Sequence, residues 1–233
     1  MNKVFSIIFV FLFGVCVYAK EFVVPSLTGR VVDVSNTLSS SDIKSLEEAC
    51  KAFEKKTGGQ FAVCIVPTIE GESIESASMK VAEAWKIGHK GKDNGMLFLL
   101  AMKEREFRIE VGYGFEGKLN DGKAGELGRF SIPMFKEKKW HDGIKYIIDS
   151  SGQILAGEKT FEEIEKENQS KVPVWLVIVI ICVIIFIMVA TNDGCSGVYV
   201  STGSSYKGGS GYSGGGFKGG GGSFGGGGFS GKF

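Results

Sequence analysis

The sequence is poor in histidine and proline, with two of the first and four of the second in 233 residues. His89 and His141 stand far apart in the chain, so a multi-histidine metal centre or a histidine-dependent phosphatase site is hard to build. Charge of one sign is also missing: 27 basic and 26 acidic residues leave a formal +1. No basic patch interleaved with aromatics is present, which excludes a nucleic-acid partner. The five cysteines show neither C-x-x-C nor paired Cys/His spacing, which argues against zinc. Cys16 and Cys182 fall in apolar stretches. Cys50, on the apolar face of a helix, and Cys64, within a strand, read as core thiols, with a disulfide between them as the alternative. The Cys-x5-Arg loop and the Asp-x-Asp start of covalent phosphatases are absent. Gly112-x-Gly114 lacks the rest of a dinucleotide-binding fingerprint.

What is present divides the chain unevenly. Lys3 and the apolar stretch Val4 to Val17, closing on Val17-Tyr18-Ala19, read as a signal peptide over 1–19 with cleavage before Lys20. Residues 20–159 are a mixed globular domain of ordinary size. An acid-rich linker covers 160–172, and the uncharged Ile/Val run within 173–190 has the length of a short membrane-spanning helix. Residues 191–233 form a Gly/Ser/Phe-rich tail that cannot bury a core and is expected to be disordered. An exported domain followed by one span places the domain outside the cell membrane and the tail in the cytoplasm. The lysines flanking the span do not add to that orientation.

Within the domain, Val31 to Val34 is extended. Ile43, Leu46, Cys50 and Phe53 recur at helical spacing over 41–56, behind N-cap candidates at Ser39 to Ser41. Phe61 to Val66 is a buried strand, and Ile74, Ala77, Val81, Ala84 and Trp85 define a helix over 74–86. Strand, helix, strand predicts a parallel pair with a right-handed crossover. Met96 to Met102 is an unbroken apolar run suited to a central strand covered on both faces. Phe107, Ile109 and Val111 alternate with Glu106, Arg108 and Glu110 in a strand antiparallel to it. A helix from Ala124 to Phe130, capped by Asn120 or Asp121, leaves at Ile132-Pro133, and another covers 142–156. The fold class is α/β: a mixed central sheet of about four strands sandwiched by helices, plus one C-terminal transmembrane helix.

Carboxylates and an amide lie at strand ends and loops: Asp33, Asp93, Asn94, Glu110 and Asp121. Such oxygens suit a calcium ion in a composite site, if segments 31–34, 93–95 and 119–122 converge on one sheet edge. Each also has a plainer role: Asp33, Asp93 and Asn94 as turn formers and Asp121 as a helix cap. Arg108 and Glu110 form either an exposed ion-pair row or, under a second helical layer, a buried pair.

Several segments together carry a family resemblance: Val32-Asp33, DNGMLFLLA at 93–101, REFRIEVGYGFEG at 105–117 and LND at 119–121. They resemble the TPM domain family, as does the layout of signal, domain, span and glycine-rich tail. The resemblance implies a membrane-anchored extracytoplasmic domain, calcium binding in some members, and acid phosphatase activity in relatives linked to photosystem repair. The resulting expectation is an accessory or stabilising module for a membrane-protein partner, with cation-dependent hydrolysis of phosphomonoesters as the alternative. No catalytic residue is assigned. Asp93 and Asp121 are the ligands that the hydrolytic alternative would use.

Overall fold

The computed structural model describes residues 21–170, 178–179, 181–185 and 217–233. Strands β1 (Val31–Asp33), β2 (Gln60–Val66), β3 (Gly95–Ala101), β4 (Glu106–Gly112) and β5 (Phe224–Lys232) form one sheet in that order. The first three are parallel, while β4 and β5 each run antiparallel to their inner neighbour. Among the described residues, five helices belong to the same unit: α1 (Ser40–Thr57), α2 (Ile74–Trp85), α3 (Tyr113–Glu116), α4 (Asp121–Lys136) and α5 (Trp140–Ala156).

Local chemistry sets the helix ends. Ser39 and Asp42 form a reciprocal capping box at the start of α1, and Gly58 ends it in the left-handed region at φ 70°. Ser73 caps α2 through the Ser76 amide, and Lys86 closes that helix at φ 50°. Asn120 caps α4. That helix does not leave at Pro133, as the sequence suggests, but continues to Lys136. A proline inside a helix costs roughly 3 kcal/mol. Phe135, buried one residue from the end against Phe98, Phe107 and Trp140, is the packing that offsets it.

Alternation along the strands gives each face its own core. Phe53 of α1 meets Phe61 edge-on, and Phe98 and Phe107 stack on the same face beneath α4 and α5. Ala62, Cys64, Leu97 and Leu99 turn to the other face and pack with Ile74, Ala77, Val81 and Trp85 of α2. Cys50 and Cys64 are free and fully buried, so the core-thiol reading holds and the disulfide does not. Helices α1 and α2 thus cover opposite faces while linking parallel strands that advance in one direction. The two crossovers must have opposite hands, so only one follows the right-handed rule.

The largest departure from expectation is the tail. The sheet has five strands, and the fifth is Phe224–Lys232, from a segment expected to be disordered. It pairs with β4 from Glu106↔Lys232 to Gly112↔Phe224, with a register shift between Glu110 and Gly112. Glycine-rich composition forbids an independent core but does not forbid docking on an existing one.

A second unit comprises Lys159–Gly215. Its helix α6 (Phe161–Ser170) starts with a reciprocal contact between Thr160 and Glu163. Residues 178–179 and 181–185 are helical, with their Ile and Val side chains about half exposed. Among the described residues, no helix is long and apolar enough to cross a membrane. The signal segment 1–19 and most of the 173–190 span lie outside the described residues.

Candidate functional site

Parallel pairing sets Gln60 beside Gly95, and antiparallel pairing brings the end of β4 to the same place, with Val111 opposite Met96. The loop before β3, the turn after β4 and the start of β5 therefore meet at one end of the sheet. Asp93 enters β3 in the left-handed region, at φ 48°. Its backbone oxygen accepts from the Gly114 amide at 3.0 Å. A Cβ at Gly112 would lie 2.2 Å from that oxygen, and one at Gly114 only 1.9 Å from the Lys92 oxygen. The two glycines therefore permit a close approach that no other residue allows.

The Asn94 side chain is committed to holding loops together. Its Oδ1 accepts from the His89 amide at 2.9 Å, and its Nδ2 donates to the Gly58 oxygen at 2.8 Å. Asp93 Oδ1 accepts from the Ser223 amide at 2.9 Å, and Asp121 Oδ1 from the Gly228 amide at 2.8 Å. Both carboxylates thus hold the tail. Asp121 is the first residue of α4, beside the Asn120 cap, whose Oδ1 accepts from the Lys123 amide at 3.1 Å. A Cβ at Gly227 would lie 2.8 Å from Glu116 Oε1 and 3.2 Å from Asp121 Oδ1, so both acids face the same glycine. Tyr113, 56% exposed, stands over Gly225. Together Tyr113, Glu116, Asn120, Asp121 and the tail glycines 225–227 line an open, polar cleft of about 680 Å³.

The other expected ligands lie elsewhere. Asp33 sits at the far end of the sheet, opposite Ile65, five residues along β2 from Gln60 and hence about 16 Å away at ~3.3 Å per residue. Its carboxylate closes its own turn, accepting from the Ser35 amide at 3.0 Å and the Leu38 amide at 2.7 Å. Glu110 is fully buried beneath α2. Arg108 Nε donates to it at 2.8 Å and Ser78 Oγ at 2.6 Å, which selects the buried-pair reading. Arg108 also donates to the Gly226 oxygen at 2.8 Å and to Ser230 Oγ at 3.1 Å, joining the pair to the tail. The five residues therefore do not come together as one calcium shell of six to eight oxygens. Among the described residues, no three His, Cys, Asp or Glu side chains converge as a metal group.

The sequence reading missed Tyr113 and the tail as parts of this region. A signal for the second was available in Gly125-x-x-Gly128 within a helix, where each glycine costs about 1 kcal/mol relative to alanine. A Cβ at Gly128 would lie 2.2 Å from the Phe229 ring, so the glycines shape a socket for a tail side chain.

The mixed sheet between two helical layers, with an acidic cleft where β3 begins and β4 ends, defines a small α/β domain with its polar surface gathered at strand ends. The TPM domain model matches residues 31–154, and the chain belongs to that family. Among solved structures, the N-terminal domain of a Porphyromonas gingivalis protein is 28% identical, with a TM-score of 0.52 over 57% of this chain and 85% of that one. A protein of the psychrophilic bacterium Bizionia argentinensis is 21% identical, with a TM-score of 0.48 over 54% of this chain and 86% of its own. No curated protein matches the chain.

Proposed function

We propose that this TPM domain is an extracytoplasmic, membrane-anchored accessory module that binds a segment of a membrane-protein partner at the Tyr113–Glu116–Asp121 cleft. The observation that supports this reading is the exposed Tyr113 ring flanked by two carboxylates at the mouth of an open cleft. An aromatic beside acids suits a basic, partly apolar segment: the ring supplies contact area and a cation–π face, and the acids supply charge complementarity. The outward-facing domain comes from the expected signal and the anchor from the expected apolar segment, which must hold the domain at the membrane without carrying across it the tail glycines that line the cleft.

The test is crosslinking of the full-length protein in its own membrane, followed by mass spectrometry. A stoichiometric partner, lost in Tyr113→Ala and captured more weakly but with less salt sensitivity in Glu116→Gln, is the expected result. Unchanged partner yield in both variants would sink the assignment to this cleft.

A second reading has one observation in its favour, the facing of Glu116 and Asp121 on Gly227. A calcium ion there would take those two carboxylates, leaving most of its shell to backbone oxygens and water. Calorimetric titration of the full-length protein and Glu116→Gln decides it: no heat at millimolar calcium, or equal heat in both, ends this reading. The phosphatase alternative rests on the family resemblance alone and is not adopted.

A further inference from the structure

We propose that the outer edge of β4, with the glycine-faced surface of α4 beside it, is a strand-binding site whose ligand is the chain's own C-terminal Gly/Phe segment. We further infer that this docking holds the tail on the domain's side of the membrane. The inference goes beyond the cleft reading and does not depend on it.

Four consecutive glycines, Gly225 to Gly228, have no intrinsic reason to form a strand, because glycine loses the most backbone freedom and brings no side chain to pack. The order must come from the surface that receives them. That surface is built for phenylalanine on both faces of the sheet. Phe217 is buried under the Arg30 guanidinium, 4.5 Å from its ring centre, and Phe224 packs with the α2-side core. On the other face, Phe229 fills the Gly125–Gly128 hollow against Phe107, and Phe233 lies 5.3 Å from Trp140 and 5.7 Å from Phe135. The spacing of these rings along the tail is therefore matched by separate receptors.

Polar contacts fix the register between them. Gln60 Nε2 donates to the Lys218 oxygen at 3.1 Å, and its Oε1 accepts from the Gly220 amide at 3.0 Å. Asp93 and Asp121 take the Ser223 and Gly228 amides. Arg108, anchored by buried Glu110, reaches Gly226 and Ser230. The Phe233 amide donates to the Arg105 oxygen at 3.1 Å. Main-chain pairing supplies adhesion and the side-chain sockets supply selectivity, as in other sheets that accept an added strand.

Location follows from distance. Paired strands lie about 4.8 Å apart, whereas a bilayer core is about 30 Å thick. A tail in the cytoplasm and a domain outside cannot share a sheet within one chain. Docking in the same chain requires the chain to leave the domain at Glu158 and return at Phe217 on one side of any membrane.

The test uses the full-length protein in cell membranes, with Cys16→Ser, Cys182→Ser and Cys195→Ser to remove unwanted thiols, Cys50 and Cys64 being fully buried. Glu106→Cys and Lys232→Cys are then introduced together, at a register pair whose present side chains form an ion pair. Mild oxidation is expected to link the two positions within one monomer, as read by the mass of the joined tryptic peptide. Adding Phe229→Ala is expected to lower the yield roughly fivefold or more. A dimer-sized product would overturn the proposal by making a second copy the occupant. So would the absence of any link. Labelling Lys232→Cys alone with a membrane-impermeant maleimide gives an independent reading. Modification only after the membrane is opened, while Glu106→Cys alone is modified in intact cells, would overturn the shared-side inference.

Discussion

The body of the domain and its tail strand reach the same sheet by opposite routes. In β3 every side chain from Met96 to Ala101 is fully buried, and the strand is specified by its own apolar content packed on two faces. In β5 most positions are glycine; its rings are held by hollows and a guanidinium, and a tail amide by a carboxylate, all supplied by the body. One element carries its information in itself and the other in its receptor. Loss of a body side chain should therefore unfold the domain, while loss of a tail side chain should only free the tail.

The comparison breaks most severely where the two regions share a group. Arg108→Met strips the buried Glu110 of its ion partner, leaving Ser78, and also removes the donors to Gly226 and Ser230. Breaking a buried pair from one side costs about 3–5 kcal/mol, so urea unfolding monitored by circular dichroism should show a large fall in midpoint. A fall no greater than that of a surface substitution would mean that Glu110 finds another partner. Phe229→Ala is expected to be milder, about 0.5–3 kcal/mol, and to act on the tail first. Hydrogen exchange should then speed up at the β4 amides facing β5 while β2 and β3 stay protected. Equal acceleration throughout would show that tail and body unfold as one.

How much of this was legible follows the same division. The apolar run before Met102, the alternation from Glu106 to Val111 and the helix spacing at Leu46, Cys50 and Phe53 announce their own elements because burial selects the residues that form them. Glu110 and Arg108 read as a pair either exposed or buried, and only α2 above them selects the buried form. Asp33 was grouped with Asp93 because both follow or precede strands. Parallel pairing puts the end of β1 and the start of β3 at opposite ends of the sheet, a fact of register that no local pattern carries. β5 was invisible for a stronger reason: glycine reads as disorder by composition, and the sockets that order it lie a hundred residues earlier.

Gly128→Ala sharpens the comparison from the receptor side. Alanine is the better helix former by roughly 1 kcal/mol, so α4 itself should gain. Its Cβ would stand 2.2 Å from the Phe229 ring, which must leave or tilt. The expected result is a freed tail on a body at least as helical as before, seen as loss of the Glu106–Lys232 crosslink with unchanged far-ultraviolet dichroism. Retained crosslinking would mean that Phe229 has a second seat.

Acidity should act on the tail more gently still. The Ser230 hydroxyl donates to Glu75 and holds that carboxyl below its ordinary 4.5. Because the docked value is the lower one, this contact contributes fully above about pH 4.5 and is lost as pH falls through the docked value. Glu106, through its hydrogen bond, raises Lys232 above its ordinary 10.5, so that contact contributes below 10.5 and is lost as pH rises beyond it. Both partners on the solvent side are exposed, so salt should shrink both limbs. Docking, followed by the fluorescence of Trp140 beside Phe233, is expected to form a plateau between those limits. Glu75→Gln should flatten the acid limb alone and Lys232→Met the alkaline limb alone. An acid limb that survives Glu75→Gln would show that the Ser230–Glu75 contact is not the one that acid breaks.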